Sequence, residues 1–226
     1  MKIATWNVER LKHKKSLDEI ITTCNKVNAD ILVLTEYDEN IKLDNPYHEC
    51  TSTPEPLYFK GYDKPETYKP SEHRVSIYSN YKIIDNHETF NDYTALCLEL
   101  ETNKGNLLVY GTIMGVAARR LPYKEDIKSQ LNDFYKFTNA GYNLCICGDY
   151  NCSFSDDYYY LSKECRQSIR DTFSKCNIKL VTENQAECID HIAISKNFIG
   201  DCTLEINEWN EDKILSDHKG ISVEFD

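Results

Sequence analysis

The stretch Ile31-Leu32-Val33-Leu34-Thr35-Glu36 places a carboxylate directly after a run of apolar, strand-forming residues. A polar side chain in that position is exposed at the tip of a buried strand. Three other polar clusters end apolar runs in the same way: Thr5-Trp6-Asn7, Gly148-Asp149-Tyr150-Asn151 and Ser216-Asp217-His218. If these runs end together in a folded sheet, they bring six side chains to one edge, namely Asn7, Glu36, Asp149, Asn151, Asp217 and His218.

Strand patterns alternate with helix patterns in part of the chain and pair as hairpins elsewhere, which indicates a layered α/β (α+β) architecture with mixed sheets. Helices are predicted after a capping box at Ser16 and Glu19, and within Tyr123–Phe137 and Ser162–Cys176. Nine strands are predicted, at Lys2–Val8, Asp30–Thr35, Arg74–Ser79, Thr94–Glu101, Asn106–Met114, Asn143–Cys147, Ile189–Ser195, Thr203–Trp209 and Gly220–Phe225.

Composition describes an ordinary globular protein, with 41% hydrophobic and 28% charged residues in 226. No Gly-, Ser- or Pro-rich linker divides the chain, so residues 1–226 are predicted to form a single domain. The proline-containing stretch Asn40–His73 is expected to be loop-rich surface. Met1-Lys2 leads straight into a strand pattern, and no apolar run approaches the roughly 20 residues that span a bilayer. We therefore expect a cytoplasmic protein without a membrane segment.

The charge and the cysteines limit the classes of partner. A formal net charge of −11 argues against loose, sequence-independent adhesion to nucleic acid, although it leaves a local positive site possible. The ten cysteines are scattered, several lie in apolar strands, and the closest group (Cys145, Cys147 and Cys152) lacks paired CxxC knuckles. Reduced, structural cysteines are expected. No protein partner can be inferred.

The six polar side chains at the predicted sheet edge suit a hard divalent cation beside a phosphate. Glu36 and Asn7 offer oxygen ligands, and Asp217 could bind the ion from the C-terminal side. Asp149 and Asn151 are two residues apart, so on extended backbone both would point the same way, towards a water. His218 needs a carboxylate behind it to favour its charged form, and Asp190 could provide one. Each cluster also has a structural alternative: a turn cap at Asn7, a solvated strand end at Glu36, a plain turn at Gly148-Asp149.

Taken together and in this order, the motifs resemble the endonuclease/exonuclease/phosphatase superfamily, from Lys2 to Phe225. The resemblance implies a four-layer α/β/β/α sandwich with two central mixed sheets and a Mg²⁺ or Mn²⁺ site at their edge. It implies that Asn7 and Glu36 are metal ligands and that Asp217 fills the remaining acidic position. It further implies that Asp149 activates water with Asn151, and that Asp190 and His218 stabilise the phosphate.

Two departures from the family pattern concern the substrate. Where many members place a His or Tyr against the phosphate, this chain has Thr112, and Arg74 stands where a small residue is common. Arg119 or Arg120 could supply the missing positive charge, so these four residues are predicted to contact substrate.

Three hypotheses about function follow. The first is a Mg²⁺-dependent phosphodiesterase or nuclease acting on nucleic acid. The second is a phosphatase or phosphodiesterase for a small phosphorylated molecule, and the third is a binding module that has lost catalysis. Tyr158-Tyr159-Tyr160 could offer a surface on which bases stack, or could simply pack and face solvent.

Overall fold

The computed structural model describes residues 1–12, 16–44, 47–54, 69–115, 123–160 and 162–226. In this part of the chain there are twelve strands and four α-helices. They are β1 (Lys2–Asn7), α1 (Leu17–Val27), β2 (Ile31–Asp38), β3 (His48–Thr51), β4 (Glu72–Ser79), β5 (Lys82–His87), β6 (Ala95–Thr102), β7 (Gly105–Ile113), α2 (Tyr123–Asn139), β8 (Leu144–Asp149), α3 (Lys163–Lys175), β9 (Ile178–Leu180), β10 (Asp190–Ser195), α4 (Lys196–Ile199), β11 (Glu205–Trp209) and β12 (Gly220–Glu224).

The strands form two six-stranded mixed sheets. Sheet A has the order β11-β12-β1-β2-β4-β3, and sheet B has the order β5-β6-β7-β8-β10-β9. Each sheet contains one parallel pair, β1–β2 or β7–β8, and its other pairs are antiparallel. A helix lies between the two members of each parallel pair, as a parallel connection requires. Chain order places all of sheet B between β4 and β11 of sheet A.

Alternating side chains in the strands divide the interior into three apolar layers. On β2, Ile31 and Val33 face the layer between the two sheets, whereas Leu32 and Leu34 face the layer under α1. On β8, Cys145 and Cys147 enter the central layer, whereas Leu144 and Ile146 face α2 and α3. These strands are apolar on both faces because each face is covered. The predicted four-layer α/β/β/α sandwich with two central mixed sheets is confirmed.

The starts of the first and third helices differ in how they are capped. The predicted capping box at Ser16 and Glu19 is wrong, because the Ser16 side chain makes no capping bond and its backbone is not extended. At the start of α3 the Ser162 side chain accepts a hydrogen bond from the Cys165 amide at 3.1 Å. A tight turn at Asn103-Lys104-Gly105 connects β6 and β7, with Gly105 at φ +103°.

Three strands were not predicted: β3, β5 and β9. β3 and β5 are edge strands without an alternating apolar pattern, and the edge strand β9 does alternate but is only three residues long, too short to be recognised. Consequently Asn40–His73 is not wholly loop: it contains β3 and the start of β4, whose residues are all buried.

The cysteines behave as predicted, since all ten are free and most are buried. Among the described helices, none combines the length and apolar character needed to cross a bilayer.

Candidate active site

Asp190 and His218 form a buried pair between the two sheets. Asp190 begins β10 in sheet B, and His218 lies just before β12 in sheet A. The His218 Nδ1 atom is 2.6 Å from Asp190 Oδ2. A carboxylate can only accept, so Nδ1 carries the proton and Nε2 is directed away from Asp190. The contact that sequence reasoning suggested between these segments is therefore present.

The Ser216-Asp217-His218 turn is held by hydrogen bonds that use its own small side chain. The Ser216 hydroxyl donates to the Asn7 carbonyl at 2.6 Å and accepts from the His218 amide at 3.2 Å. The Trp6 indole N–H donates to the His218 carbonyl at 3.1 Å, and the Asn210 amide donates to the same oxygen at 2.7 Å. The backbone around His218 is thus fixed against the end of β1.

Asp149 lies at the end of β8, next to Asn7 from the other sheet. The Asn7 side-chain amide donates to Asp149 Oδ2 at 3.2 Å. Gly148 precedes it at φ +139°, and a Cβ there would be 1.9 Å from the Thr112 carbonyl oxygen. Only glycine allows the strand to end in this way.

Asn151 does not continue an extended backbone, so the reasoning from two-residue spacing is wrong. Its φ is +49°, its backbone N–H donates to Asp149 Oδ1 at 2.8 Å, and its side-chain amide donates to the Met114 carbonyl at 3.0 Å. A tight turn, rather than strand alternation, places Asn151 beside Asp149.

Glu36 has a left-handed backbone within β2, with φ +49°. The pairing with β4 runs on both sides of it, at Thr35 and Tyr37, and Glu36 faces Arg74 across the ladder. Arg74 Nη1 lies 3.2 Å from Glu36 Oε1, and the Arg74 side chain is largely buried. The left-handed backbone at Glu36 costs a non-glycine residue roughly 1–3 kcal/mol, and strained residues of this kind cluster at functional sites.

Burial and neighbouring charges shift the pKa values of the central acid and base. Burial raises the pKa of Asp149 to about 7, with Asp190 and Glu36 raising it further and His218 opposing the shift. Burial lowers the pKa of His218, but the Asp190 and Asp149 carboxylates outweigh it and raise the net value to about 10. At neutral pH His218 is therefore an imidazolium.

This pKa shift predicts how stability depends on pH. The folded pKa of His218 exceeds its unfolded value of about 6.5, so its contribution is fully present below pH ~6.5 and is lost as pH rises towards 10. Asp149 also titrates near neutrality, so the comparison is made in an Asp149→Asn background with EDTA, where Asp190 remains to raise the His218 pKa and the loss of stability begins at a lower pH than with Asp149 present. The free energy of unfolding, measured by urea titration, should differ between this protein and Asp149→Asn/His218→Gln most at pH 6 and least at pH 10. A difference that stays constant would contradict the assignment.

Thr112 is fully buried, and its hydroxyl is already used within the protein. It donates to Gln130 Oε1 of α2 at 2.6 Å. The Gln130 amide donates in turn to the Ile113 carbonyl at 3.2 Å and to Asp126 Oδ2 at 3.1 Å. Asp126 Oδ2 also accepts from the Gly115 amide at 2.7 Å. In this conformation Thr112 has no free donor for a substrate, so its predicted contact with substrate is corrected to a structural one.

This buried network supports the active-site turn. Met114 lies within it, and its backbone accepts from Asn151 and donates to the Asp149 carbonyl at 2.8 Å. Sequence reasoning missed Asp126 and Gln130, which precede Ile127 and Leu131 of the apolar stripe by one residue each. Two polar residues four positions apart, each next to a residue of the apolar face of the helix, are the sequence signal that could have identified them.

Replacing Gln130 with leucine should lower the free energy of unfolding by about 1–3 kcal/mol, because it removes three buried hydrogen bonds, those of Gln130 with Thr112, Asp126 and the Ile113 carbonyl. Urea unfolding measures the change. Gln167→Leu on α3 is the matched control, since Gln167 is exposed and bonds only within its helix, to Asp171. Equal effects of the two substitutions would show that the network does not stabilise the protein.

The remaining predicted residues are placed as follows. Asp217 is exposed at the rim, with its carboxylate 3.6 Å from His218 Nε2. Arg119 and Arg120 lie outside the described residues. The structure therefore gathers Asn7, Glu36, Asp149, Asn151, Asp190, Asp217 and His218 at one edge of the sandwich, with Arg74 beside Glu36. The roles of these residues stay predictions.

The match to known proteins covers the segments that carry these side chains. A family model described as the Endonuclease/Exonuclease/phosphatase family matches residues 4–218. The chain belongs to this family. Family membership makes it a phosphoester hydrolase of the nuclease and phosphatase type, and explains why the polar clusters end strands in this order.

Solved structures of the same fold cover nearly all of the chain. A 3′ phosphatase from Neisseria, NExo, bound to a product DNA hairpin, is 16% identical with a TM-score of 0.66, over 100% of this chain and 99% of its own. An AP endonuclease from Archaeoglobus fulgidus has the same identity, TM-score and coverage. TDP2 from C. elegans is 14% identical with a TM-score of 0.67, over 99% of this chain and 74% of its own. No curated protein sequence matches the chain. Identities this low establish the fold alone.

The site has the donor chemistry that suits a divalent cation in this family. Its ligand atoms are carboxylate and amide oxygens, which Mg²⁺ and Mn²⁺ prefer. One side-chain N or O atom from each of Asp149, Asp190 and His218 lies within 4.8 Å of the other two, so two buried carboxylates sit close together here. Asp190 Oδ1 is buried and has no hydrogen-bond partner. A cation bound nearby would reduce the repulsion between these buried carboxylates and would give the unpaired oxygen a partner.

Proposed function

We propose that the chain is a Mg²⁺-dependent phosphodiesterase that hydrolyses nucleic acid by in-line attack of water on phosphorus. The observation that carries the proposal is the group of Asp149, Asp190 and His218: a buried carboxylate beside an imidazolium–carboxylate pair, with one side-chain atom of each residue within 4.8 Å of the other two. A base and a cationic proton donor side by side are what phosphoester hydrolysis requires.

Asp149 is the proposed base. Its pKa of about 7 leaves it partly ionised at neutral pH and matched to accepting a proton from water. The Asn7 amide and the Asn151 backbone N–H each hold one carboxylate oxygen, which restricts the carboxylate to one orientation. As the proton moves to Asp149, the water oxygen bonds to phosphorus and the bond to the leaving oxygen breaks.

His218 is the proposed donor to a non-bridging phosphate oxygen. Its Nδ1 proton is committed to Asp190, so the Nε2 proton is the one available to a substrate. Because the pKa is raised to about 10, the imidazolium is present before the substrate binds. A fixed positive charge needs no reorganisation as negative charge develops on the phosphate.

Asn7, Glu36 and Asp217 are the proposed ligands of Mg²⁺ or Mn²⁺. The ion, when bound, neutralises charge on the phosphate oxygens. Arg74 lies next to Glu36 and orients its carboxylate, so we assign it to the support of this ligand as well as to substrate.

Nucleic acid is the favoured substrate because two similar structures are described as an AP endonuclease and as a 3′ phosphatase bound to a DNA hairpin. The acidic net charge of −11 favours a second candidate, a small phosphorylated molecule, which needs no long basic groove.

A substrate panel tests both candidates. Purified protein is incubated with plasmid DNA, single strands, abasic duplex, 3′-phosphorylated strands and small phosphomonoesters, in Mg²⁺, in Mn²⁺ and in EDTA. We expect metal-dependent cleavage of a nucleic acid, absent in EDTA and restored by added metal. Turnover of phosphomonoesters with every nucleic acid intact would support the second candidate. A wild-type protein inert towards all of them would support a binding module.

A further inference from the structure

Tyr158 and Tyr159 are the two most exposed aromatic side chains among the described residues. The exposed fractions are 49% for Tyr158 and 44% for Tyr159. Tyr160, the next residue, instead packs against the apolar layer under α2 and α3, with the Arg166 guanidinium 4.7 Å from its ring centre. The loop therefore packs Tyr160 against the protein interior and leaves Tyr158 and Tyr159 exposed. We call Tyr158, Tyr159 and the adjoining Lys213 the tyrosine rim.

The loop that carries these tyrosines is tightly bonded, so their exposure does not come from a loose segment. The Ser153 amide donates to the Tyr159 carbonyl at 2.6 Å, and the Tyr159 amide donates to the Ser153 hydroxyl at 3.3 Å. The Arg166 guanidinium donates to the carbonyls of Ser153 and Asp156, at 3.2 and 2.8 Å. Exposed aromatic surface held in one position is prepared for a partner.

The tyrosine rim joins the two loops that carry active-site residues. The loop with Tyr158 and Tyr159 begins directly after Asn151, and the backbones of Cys152 and Tyr160 pair across it. The second loop contains Lys213 and is closed by the Asn210 amide, which donates to the Ser216 and His218 carbonyls. Lys213 Nζ donates to the Tyr158 hydroxyl at 2.6 Å and lies 4.3 Å from the ring centre. The rim therefore connects the loop that follows Asn151 with the loop that precedes His218.

We propose that Tyr158 and Tyr159 form a stacking surface for an unpaired nucleobase next to the phosphate that is cleaved. This rests on the proposed function. Aromatic faces bind bases of any identity, because every base has a π-face. Glu211 and Asp212, which lie just before Lys213, are exposed carboxylates and would repel a phosphate backbone running along the rim, and the charge of Arg166 on the other side is already paired with Asp157 at 2.8 Å. Stacking of a single base, rather than neutralisation of phosphates, therefore suits this surface.

The test pairs two protein variants with two strands. One substrate is a labelled single strand, and the other is the same strand with base-free tetrahydrofuran residues on both sides of the cleaved linkage. Tyr158→Ala/Tyr159→Ala should lower kcat/KM for the strand with bases by about 5- to 100-fold and leave kcat/KM for the base-free strand unchanged. Tyr158→Phe/Tyr159→Phe, which keeps both rings, should retain the wild-type preference for the strand with bases. Both side chains are exposed and the loop is held through its backbone, so the variants should fold, as melting temperature will verify.

Tyr142→Ala is the matched control, because Tyr142 is 36% exposed and precedes β8 at the end opposite Asp149. It should leave both activities unchanged. Equal losses on the two strands, or no loss on either, would overturn the stacking surface while leaving the hydrolase intact. A wild type that cleaves another nucleic acid of the panel but neither single strand would overturn the stacking surface alone, whereas a wild type inert towards every nucleic acid would overturn nucleic acid as the substrate, and the stacking surface with it.

Discussion

Asp149→Asn should lower kcat by about 10²- to 10⁴-fold, the range in which general-base catalysis contributes. The asparagine keeps the shape of the side chain and an oxygen for the Asn7 amide, which donates to Asp149 at 3.2 Å, but it cannot accept the proton of the attacking water. The measurement is kcat at saturating substrate and metal, with the melting temperature of both proteins recorded in EDTA. The unfolding transition should remain cooperative.

Asp133→Asn is the control for this change. Asp133 is also a buried aspartate that accepts two hydrogen bonds, from the Phe90 amide and the Tyr110 hydroxyl, but it lies on α2 away from the site. It should alter stability and leave kcat largely unaffected. If Asp149→Asn and Asp133→Asn reduced kcat equally, Asp149 would have no special part in the reaction.

Loss of the Asp190–His218 pair is expected to have the second largest effect. His218→Ala should lower kcat by about 10²- to 10³-fold, as removal of a fixed donor to a developing negative charge does elsewhere. Asp190→Asn leaves the ring without the carboxylate 2.6 Å from its Nδ1, and so without the main support for its charge. The double variant Asp190→Asn/His218→Ala should have a kcat within a few-fold of that of His218→Ala, because the two residues act as one unit.

His87 and Glu99 provide the control pair, because His87 Nε2 lies 3.1 Å from Glu99 Oε2 in β5 and β6, and β5 is the edge strand of sheet B. His87→Ala/Glu99→Gln should leave kcat at the wild-type level. Fully multiplicative losses in the Asp190 and His218 series would show that the two residues act independently, against the arrangement proposed here.

Much of the site was predictable because its residues lie where apolar runs end. Asn7 and Asp149 are the last residues of β1 and β8, one strand from each of the two packed sheets. The prediction that Glu36 lies at the tip of its strand is wrong, because β2 continues to Asp38 and only its apolar run ends before Glu36. The Asp190–His218 contact could be suggested since a buried imidazolium requires a carboxylate. That residues 1–226 form a single domain stays a prediction.

The rest depended on tertiary geometry that local patterns do not encode. The turn at Asn151 depends on a carbonyl 37 residues earlier in the chain, that of Met114. Thr112 was predicted to contact substrate because of its position in a strand. Its hydroxyl instead donates a hydrogen bond to Gln130, on the helix that follows that strand. Edge strand β3 has partly exposed residues throughout, so it gives no alternating signal.

Both hydrogen bonds at the centre of the site cross from sheet A to sheet B: Asn7 to Asp149, and His218 to Asp190. Neither sheet alone carries a complete set of reacting groups. A compact, molten-globule-like state that keeps its secondary structure but loosens the contact between the sheets should therefore be inert. Activity would then report on the docking of the two halves, and would return during refolding only after that late step.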